Sequence, residues 1–486
     1  LGMDGAEVYG MVSWRWPYAL DKLEPQQTGY WPEGRKITTF DRDWIWLEAF
    51  GRYLWKTNRD EAEDKAYWNK RLAERFGNEK AADLLRQWYD VTGPLLPGWQ
   101  NLCSNFNMNF WPTPLAREQE LDRLIMARGE DQPGHPERSY HPSQPVDDFF
   151  YQRYLQRFNE NNLKDRYSMA IADYGKALAQ GATHWERMRP DRMATLFVEM
   201  AQEGLTLAQQ AAAAGTKHQE ELQRFITDSQ ALLYTCQMYQ GLVMAAIEKR
   251  QLTLTEDLAH GDAMLDHLDN AVDAYEQLVT LTDKTYINAT DMIMRLNWRN
   301  GAQSVRNQRC RESIYFDALR LKHDKGVHWV EAEDMQGEFE LANNRGGYYG
   351  KGFAAIAPKD SRAEDAALKT TITLENPVHV AVWTHGLIVP RETNRAFTVT
   401  VNGKTFDPVC DFKDEYHPIA FGSIGRIIWQ RVGFMDLPAG DVNIVIDPVG
   451  EGYVCPDAVA LIETSWGQEV HMLGEQVGDI GDLGGY

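Results

Sequence analysis

The sequence predicts a multidomain α + β protein in which helices come first and an antiparallel β-sandwich of jelly-roll type closes the chain. Three observations point there. At 486 residues the chain exceeds what one hydrophobic core serves. Between about 145 and 320, apolar residues recur at spacings of three and four, the period of helices. Beyond Lys325-Gly326 the period drops to two, the period of strands.

The elements follow in order. Ala6–Val12 reads as a strand, followed by Ser13-Trp-Arg-Trp-Pro-Tyr. A helix begins near Asp41-Arg-Asp-Trp, capped by Thr39 or Asp41, with Trp44, Leu47, Phe50 and Leu54 at helical spacing. Further helices read at 60–77 and 79–92, before Gly93-Pro94 and Pro97-Gly98 interrupt. In the long helical zone, Leu232, Leu233, Cys236, Tyr239, Leu242 and Val243 keep the period, as do Met264, Leu268, Val272, Tyr275 and Leu278. Breaks at Gly181, Pro190, Gly215 and Thr253 divide this zone into five or six helices of an antiparallel bundle. Alternation over Ala367–Glu375, Val378–Thr384, Phe397–Val401, Ile427–Phe434, Val442–Ile446 and Ala458–Glu463 supplies the strands of the sandwich. The expected division is 1–60, 61–144, 145–324, 325–472 and a flexible Gly- and acid-rich tail, 473–486.

Composition narrows the partners. Lys and Arg number 50 against 71 Asp and Glu, a net charge of −21, which disfavours nucleic acid and anionic membrane surfaces. No apolar run reaches the ~18 residues a membrane span needs. Cys103, Cys236, Cys310, Cys410 and Cys455 are odd in number and include no C-x-x-C pair, so neither a zinc site nor a disulfide framework is indicated. Cys410 and Cys455 share the sandwich and could pair; free buried thiols are the alternative. There is no G-x-S-x-G elbow, P-loop or dinucleotide fingerprint, and no cofactor for catalysis is expected. The start, Leu1-Gly-Met-Asp, reads as structured sequence, so a processed or truncated product is expected, associating with a missing N-terminal segment or with copies of itself.

One cluster of residues carries most of the functional expectation. Glu331 and Glu333 stand two apart on the first predicted strand after the helices, so both side chains point to one face. Two carboxylates on one face repel unless a cation or hydrogen-bond donors neutralise them. A hard Ca²⁺ ion held by Glu331, Glu333 and Asp457 would do so; a solvated acidic strand face is the other reading. Gly346, Gly347, Gly350 and Gly352 permit close backbone approach beside Tyr348 and Tyr349, which suits a binding loop. Tyr348, Tyr349, Trp383 and Trp429 are candidate sugar platforms, with core packing the competing use.

The order Glu331-Ala-Glu-Asp334, Gly347-Tyr-Tyr-Gly-Lys-Gly-Phe353, Leu437-Pro-Ala-Gly440 and Pro456-Asp-Ala-Val-Ala-Leu461 resembles the carbohydrate-binding modules of families 6 and 35. The resemblance covers about a third of the chain and implies a sandwich that binds glycans, with a structural calcium. A second resemblance concerns the N-terminus. Gly5-Ala-Glu-Val-Tyr-Gly-Met-Val-Ser-Trp-Arg-Trp looks like a late strand and active-site loop of a (β/α)₈ barrel, with the helix after Asp41 packed outside it. A barrel end, then helices, then a sandwich resembles large glycoside hydrolases such as the α-glucuronidases of families 67 and 115. On that resemblance Glu7 is the candidate catalytic acid or base, since glycoside cleavage uses two carboxyl groups and barrel sites lie at strand C-termini. Arg15 would clamp a uronate or a sulfate bidentately, and Trp14 and Trp16 would stack on a sugar. A buried Glu7–Arg15 ion pair is the competing account. A whole barrel takes ~250 residues, far more than the first zone holds.

Asn105, Asn107 and Trp111 set amides beside aromatic rings, which suits neutral sugars, though the asparagines also serve turns. His260 and His267 stand seven apart on one helix near Asp262 and Asp266, a metal pair or a polar helix face. The expected function is therefore a secreted or periplasmic glycoside hydrolase acting on a polysaccharide, uronic-acid-containing in the sharpest form. The alternatives are a non-catalytic carbohydrate-binding scaffold and a polysaccharide lyase.

Overall fold

A computed structural model describes residues 44–55, 60–95, 98–99, 102, 121–126, 169–185, 188–285, 298–342, 347–388, 396–406 and 426–464. Glu7, Trp14, Arg15, Trp16, Asn105, Asn107 and Trp111 lie outside these residues, as does the barrel-like segment to which the first four belong. Among the described residues there is no closed barrel, and the first strand is Val327–Glu331. The chain divides into two compact units; the second takes in Glu248–Leu265 and everything from Asn307 onward, and the first holds most of the remainder.

The first unit is helical. Its described elements include α1 (Trp44–Trp55), α2 (Glu61–Phe76), α3 (Glu79–Thr92), α4 (Leu121–Met126), α5 (Ile171–Ala179) and α6 (Pro190–Ala214). It also holds most of α7 (Gln219–Thr255) and α8 (Leu258–Thr285) and the start of α9 (Trp298–Lys322), the three that supply residues to both units. Local chemistry sets the ends. Asp60 accepts from the Glu63 N–H at 2.8 Å to start α2, and Gly77 closes it at φ 72°. Asn78 then accepts from the Lys80 and Ala81 N–H groups to start α3. Pro190, which lacks the N–H that a first helical turn leaves unpaired, opens α6. The apolar stripes of α1, α2, α3, α6 and α7 meet in one core around Trp68, Leu72, Phe76, Leu85, Ala208 and Phe225.

The second unit is built around the sandwich. One antiparallel sheet has the order β1-β10-β5-β8, from β1 (Val327–Glu331), β5 (Val378–Ile388), β8 (Arg426–Leu437) and β10 (Cys455–Glu463). The other has the order β4-β9-β6-β7, from β4 (Leu368–Leu374), β6 (Phe397–Val401), β7 (Lys404–Phe406) and β9 (Gly440–Pro448). A short pair, β2 (Glu340–Ala342) with β3 (Phe353–Ala355), lies beside them in sequence. Inward residues of both sheets, among them Val380, Val382, Val459, Leu461, Leu368, Val399, Val442, Ile444 and Ile446, form the core. Cys236 and Cys310 carry free thiols; Cys410, and with it the expected pairing with Cys455, lies outside the described residues.

Two breaks in register interrupt the first of these sheets. Pairing of β10 with β5 shifts between Pro456 and Ala458, leaving Asp457 as the extra residue of a bulge. Strand alternation alone would aim Asp457 inward with Val459; the bulge lets it turn to the outer face. Pairing of β5 with β8 shifts between Val382 and Trp383.

Candidate functional site

The outer face of the sheet β1-β10-β5-β8 gathers the residues that the sequence singled out, all within the second unit. Strand β1 ends at Glu331, and Ala332–Asp334 forms a 3₁₀ turn. The expectation that Glu331 and Glu333 alternate along one strand is therefore corrected: the chain turns between them. The turn nevertheless brings both carboxyl groups to Gly350. A Cβ built on Gly350 would collide with Glu333 Oε1 and come within 3.4 Å of the Glu331 carboxyl carbon. Gly350 also holds φ 64°, a conformation that favours glycine; the collision itself is with the end of a flexible side chain, so the backbone makes the stronger demand. The Lys351 N–H then donates to Glu333 Oε1 at 2.7 Å.

Asp457 is fully buried and reaches the same turn from β10. Its Oδ2 accepts from the Tyr349 N–H at 3.0 Å and lies 2.7 Å from His385 Nδ1. Burial pushes His385 down to about 3, so the imidazole is neutral and this contact is a hydrogen bond rather than an ion pair. Burial pushes the Asp457 carboxyl well up, and the Glu331 charge adds to that. Glu333 is raised to about 7, chiefly by burial, with the Lys351 N–H opposing. Glu331 is raised by burial and drawn back by Lys322, whose Nζ lies 2.8 Å from Glu331 Oε1.

Three carboxyl groups thus share one region, and each keeps one oxygen unserved. Glu331 Oε2, Glu333 Oε2 and Asp457 Oδ1 are buried and make no hydrogen bond of ordinary geometry among the described residues, although the buried indole N–H of Trp329 stands beside Glu331 and helps draw its carboxyl back down. Buried polar atoms are nearly always paired, so three orphans on neighbouring carboxylates suit a hard cation in charge and in ligand type. Among the described residues no three His, Cys, Asp or Glu side chains already stand at the spacing of a metal's ligands. Seating an ion would require the three carboxylates to draw closer around it.

The aromatic residues have another role than the one expected. Tyr348 and Tyr349 are 6% and 1% exposed, so neither presents a ring to a sugar. Tyr349 stacks on Tyr315 of α9 with centroids 4.6 Å apart and planes at 12°. Its hydroxyl donates to the Tyr315 carbonyl at 3.1 Å and accepts from Trp429 Nε1 at 3.1 Å. Tyr315 in turn donates to the Tyr348 carbonyl at 3.1 Å. Trp329, Trp429 and His385 close the cluster with ring centroids about 5 Å apart, and Trp383 is 1% exposed. The glycine-tyrosine turn is clamped under a helix: long-range packing decides where these rings go, and local sequence does not carry that information. Among the described residues of the sandwich, the exposed aromatic rings are Phe434 and Tyr453.

Sequence reasoning missed Lys322, Tyr315 and His385. His385 carried a signal: it is a polar residue at an outward position of a strand whose neighbours Trp383 and Leu387 are apolar. His260, expected as a metal ligand or a surface group, pairs with Glu248 at 2.7 Å.

No known family profile matches the sequence, and no curated protein matches it. Solved structures do. A GH138 enzyme targeting pectin rhamnogalacturonan II aligns with a TM-score of 0.45 and 17% identity over 60% of this chain and 40% of that one. The GH26-CBM35 β-(1,4)-mannanase of Podospora anserina aligns with a TM-score of 0.23 and 16% identity over 30% of each chain. The CBM35 of Cellvibrio japonicus Abf62 aligns with a TM-score of 0.21 and 13% identity over 29% of this chain and 94% of the module. This chain therefore spans 40% of the length of the first of these. The structural neighbours are glycoside hydrolases and carbohydrate-binding modules, at scores and identities too low for an activity to pass from them to this chain.

Proposed function

We propose that this protein is a glycoside hydrolase acting on a uronic-acid-containing polysaccharide, with an appended carbohydrate-binding sandwich. The observation that supports the reading is the meeting of Glu331, Glu333, the Gly347–Phe353 turn and Asp457 on one face of one sheet. These stretches lie far apart in the chain, and their order is the one that resembles carbohydrate-binding modules. Glu7 is proposed as the catalytic acid or base, with Arg15 holding a uronate and Trp14, Trp16 and the Asn105–Trp111 loop holding the sugar; these roles rest on the sequence resemblance. Polymer contact on the sandwich is assigned to Phe434, which has Arg431 5.0 Å from its ring centroid and is stacked with His379, in place of the buried tyrosines.

Glu331, Glu333 and Asp457 are proposed to hold a structural Ca²⁺, which would neutralise three carboxylates that burial otherwise forces toward protonation. Secretion or a periplasmic location is part of the same proposal, since polymer and calcium are both found there. The test is an assay of the full chain against neutral and uronate-rich polysaccharides, reading reducing ends released and protein retained. Release from a uronate-rich polymer, abolished by Glu7→Gln, is expected. Retention without release would make it a binding scaffold. Neither release nor retention on any polymer would overturn the carbohydrate reading.

A further inference from the structure

We propose that Lys322 is a built-in competitor for the cation seat and sets how tightly that seat binds. This role presupposes the Ca²⁺ seat proposed for Glu331, Glu333 and Asp457. Lys322 is the last residue of α9, and its side chain is 19% exposed. Its ammonium lies 2.8 Å from Glu331 Oε1 and 2.7 Å from Glu256 Oε1, so two carboxylates share one positive charge. The Glu331 oxygen left over, Oε2, is one of the three orphans. A divalent ion that ligates Glu331 therefore meets an ammonium already seated on the same carboxylate. Like charges held this close in a partly buried setting oppose each other strongly, and the ammonium also withdraws charge from the ligand.

Glu256 gives the lysine somewhere to go. It closes the turn between α7 and α8 at φ 54°, and its N–H donates to the Leu252 carbonyl at 2.8 Å. That conformation is uncommon for a residue with a side chain, and here it aims the carboxylate at Lys322. His323 Nε2 approaches the other Glu256 oxygen at 3.8 Å. As an ion arrives, the ammonium shifts its weight from Glu331 to Glu256. Lys322 acts through Glu331 and is a positioning residue, with no contact to the ion required.

The two partners of Lys322 give variants of opposite sign. Lys322→Met removes the competitor and leaves Glu331 wholly available. Glu256→Gln removes the alternative partner and leaves the ammonium concentrated on Glu331. A purely structural bridge would lose stability in both variants and would not move calcium affinity in opposite directions. The experiment is calorimetric titration of CaCl₂ into the full chain and both variants near neutral pH, with circular dichroism to confirm folding. Binding at least about tenfold tighter in Lys322→Met, with weaker binding in Glu256→Gln, is expected. Equal or weaker binding by Lys322→Met, or shifts of the same sign in both variants, overturns the role of Lys322 and leaves the cation seat standing. If Lys322→Met does not fold, Glu256→Gln decides alone, and unchanged or tighter binding there overturns the proposal. Folded wild type that takes up no calcium at millimolar concentration overturns both the seat and the competitor.

Discussion

The two faces of the sheet β1-β10-β5-β8 arise from the same alternation and hold opposite chemistry. The inner face sets Val380, Val382, Val459 and Leu461 against the apolar residues of the facing sheet. The outer face buries Glu331, Trp383, His385 and, through a bulge, Asp457. Hydrocarbon is content with close packing, whereas each buried polar atom needs a partner. On the outer face Trp383 Nε1, Glu331 Oε2 and Asp457 Oδ1 make no hydrogen bond of ordinary geometry among the described residues. The inner face is therefore satisfied by packing alone, whereas the outer face keeps buried polar atoms without such bonds, which is the mark of a site rather than of a core.

The largest effect is expected inside. Leu461→Ala should cost about 2–5 kcal/mol in denaturant unfolding, with the same loss whether calcium or chelator is present. A loss that depends on calcium would mean that the two faces are not separate. On the outer face, Tyr349→Phe keeps the ring stacked on Tyr315 but strips the hydroxyl that serves both Trp429 Nε1 and the Tyr315 carbonyl. It should cost about 1–3 kcal/mol, because a buried indole N–H is orphaned. No loss would show that the clamp under α9 contributes nothing.

The smallest effect has the opposite sign. Glu333 titrates near 4.5 when unfolded and at about 7 in the fold. Between those values the folded state keeps a proton that the unfolded chain has released, so this group's contribution to stability falls as pH rises through that window. In chelator, Glu333→Gln should remove that slope and melt above wild type once pH passes 7, while matching it below pH 4. Identical slopes in the two proteins would mean that Glu333 is not held under charge strain.

Much of the architecture was legible in the sequence because it depends on local period. The runs around Leu368–Leu374, Val378–Ile388, Phe397–Val401, Arg426–Leu437, Gly440–Pro448 and Cys455–Glu463 are strands where alternation placed them. Pro190 and Gly215 bound a helix as their backbone chemistry requires. The acidic motif was legible as a set of residues and misread as a strand, since a 3₁₀ turn of three residues leaves no periodic trace. The tyrosines were misread as sugar platforms because the helix that covers them, through Tyr315, lies more than 30 positions upstream. Lys322 was invisible for the same reason: its meaning lies in Glu256 and Glu331, which converge only in three dimensions.

The most direct test of the cation seat is thermal unfolding of the full chain near pH 7, in excess chelator and in millimolar Ca²⁺, followed by tryptophan fluorescence from the outer-face cluster. Calcium should raise the midpoint of wild type and leave Asp457→Asn unmoved, since that variant lacks the deepest ligand. A wild-type midpoint indifferent to calcium would contradict the assignment of Glu331, Glu333 and Asp457 to a shared ion.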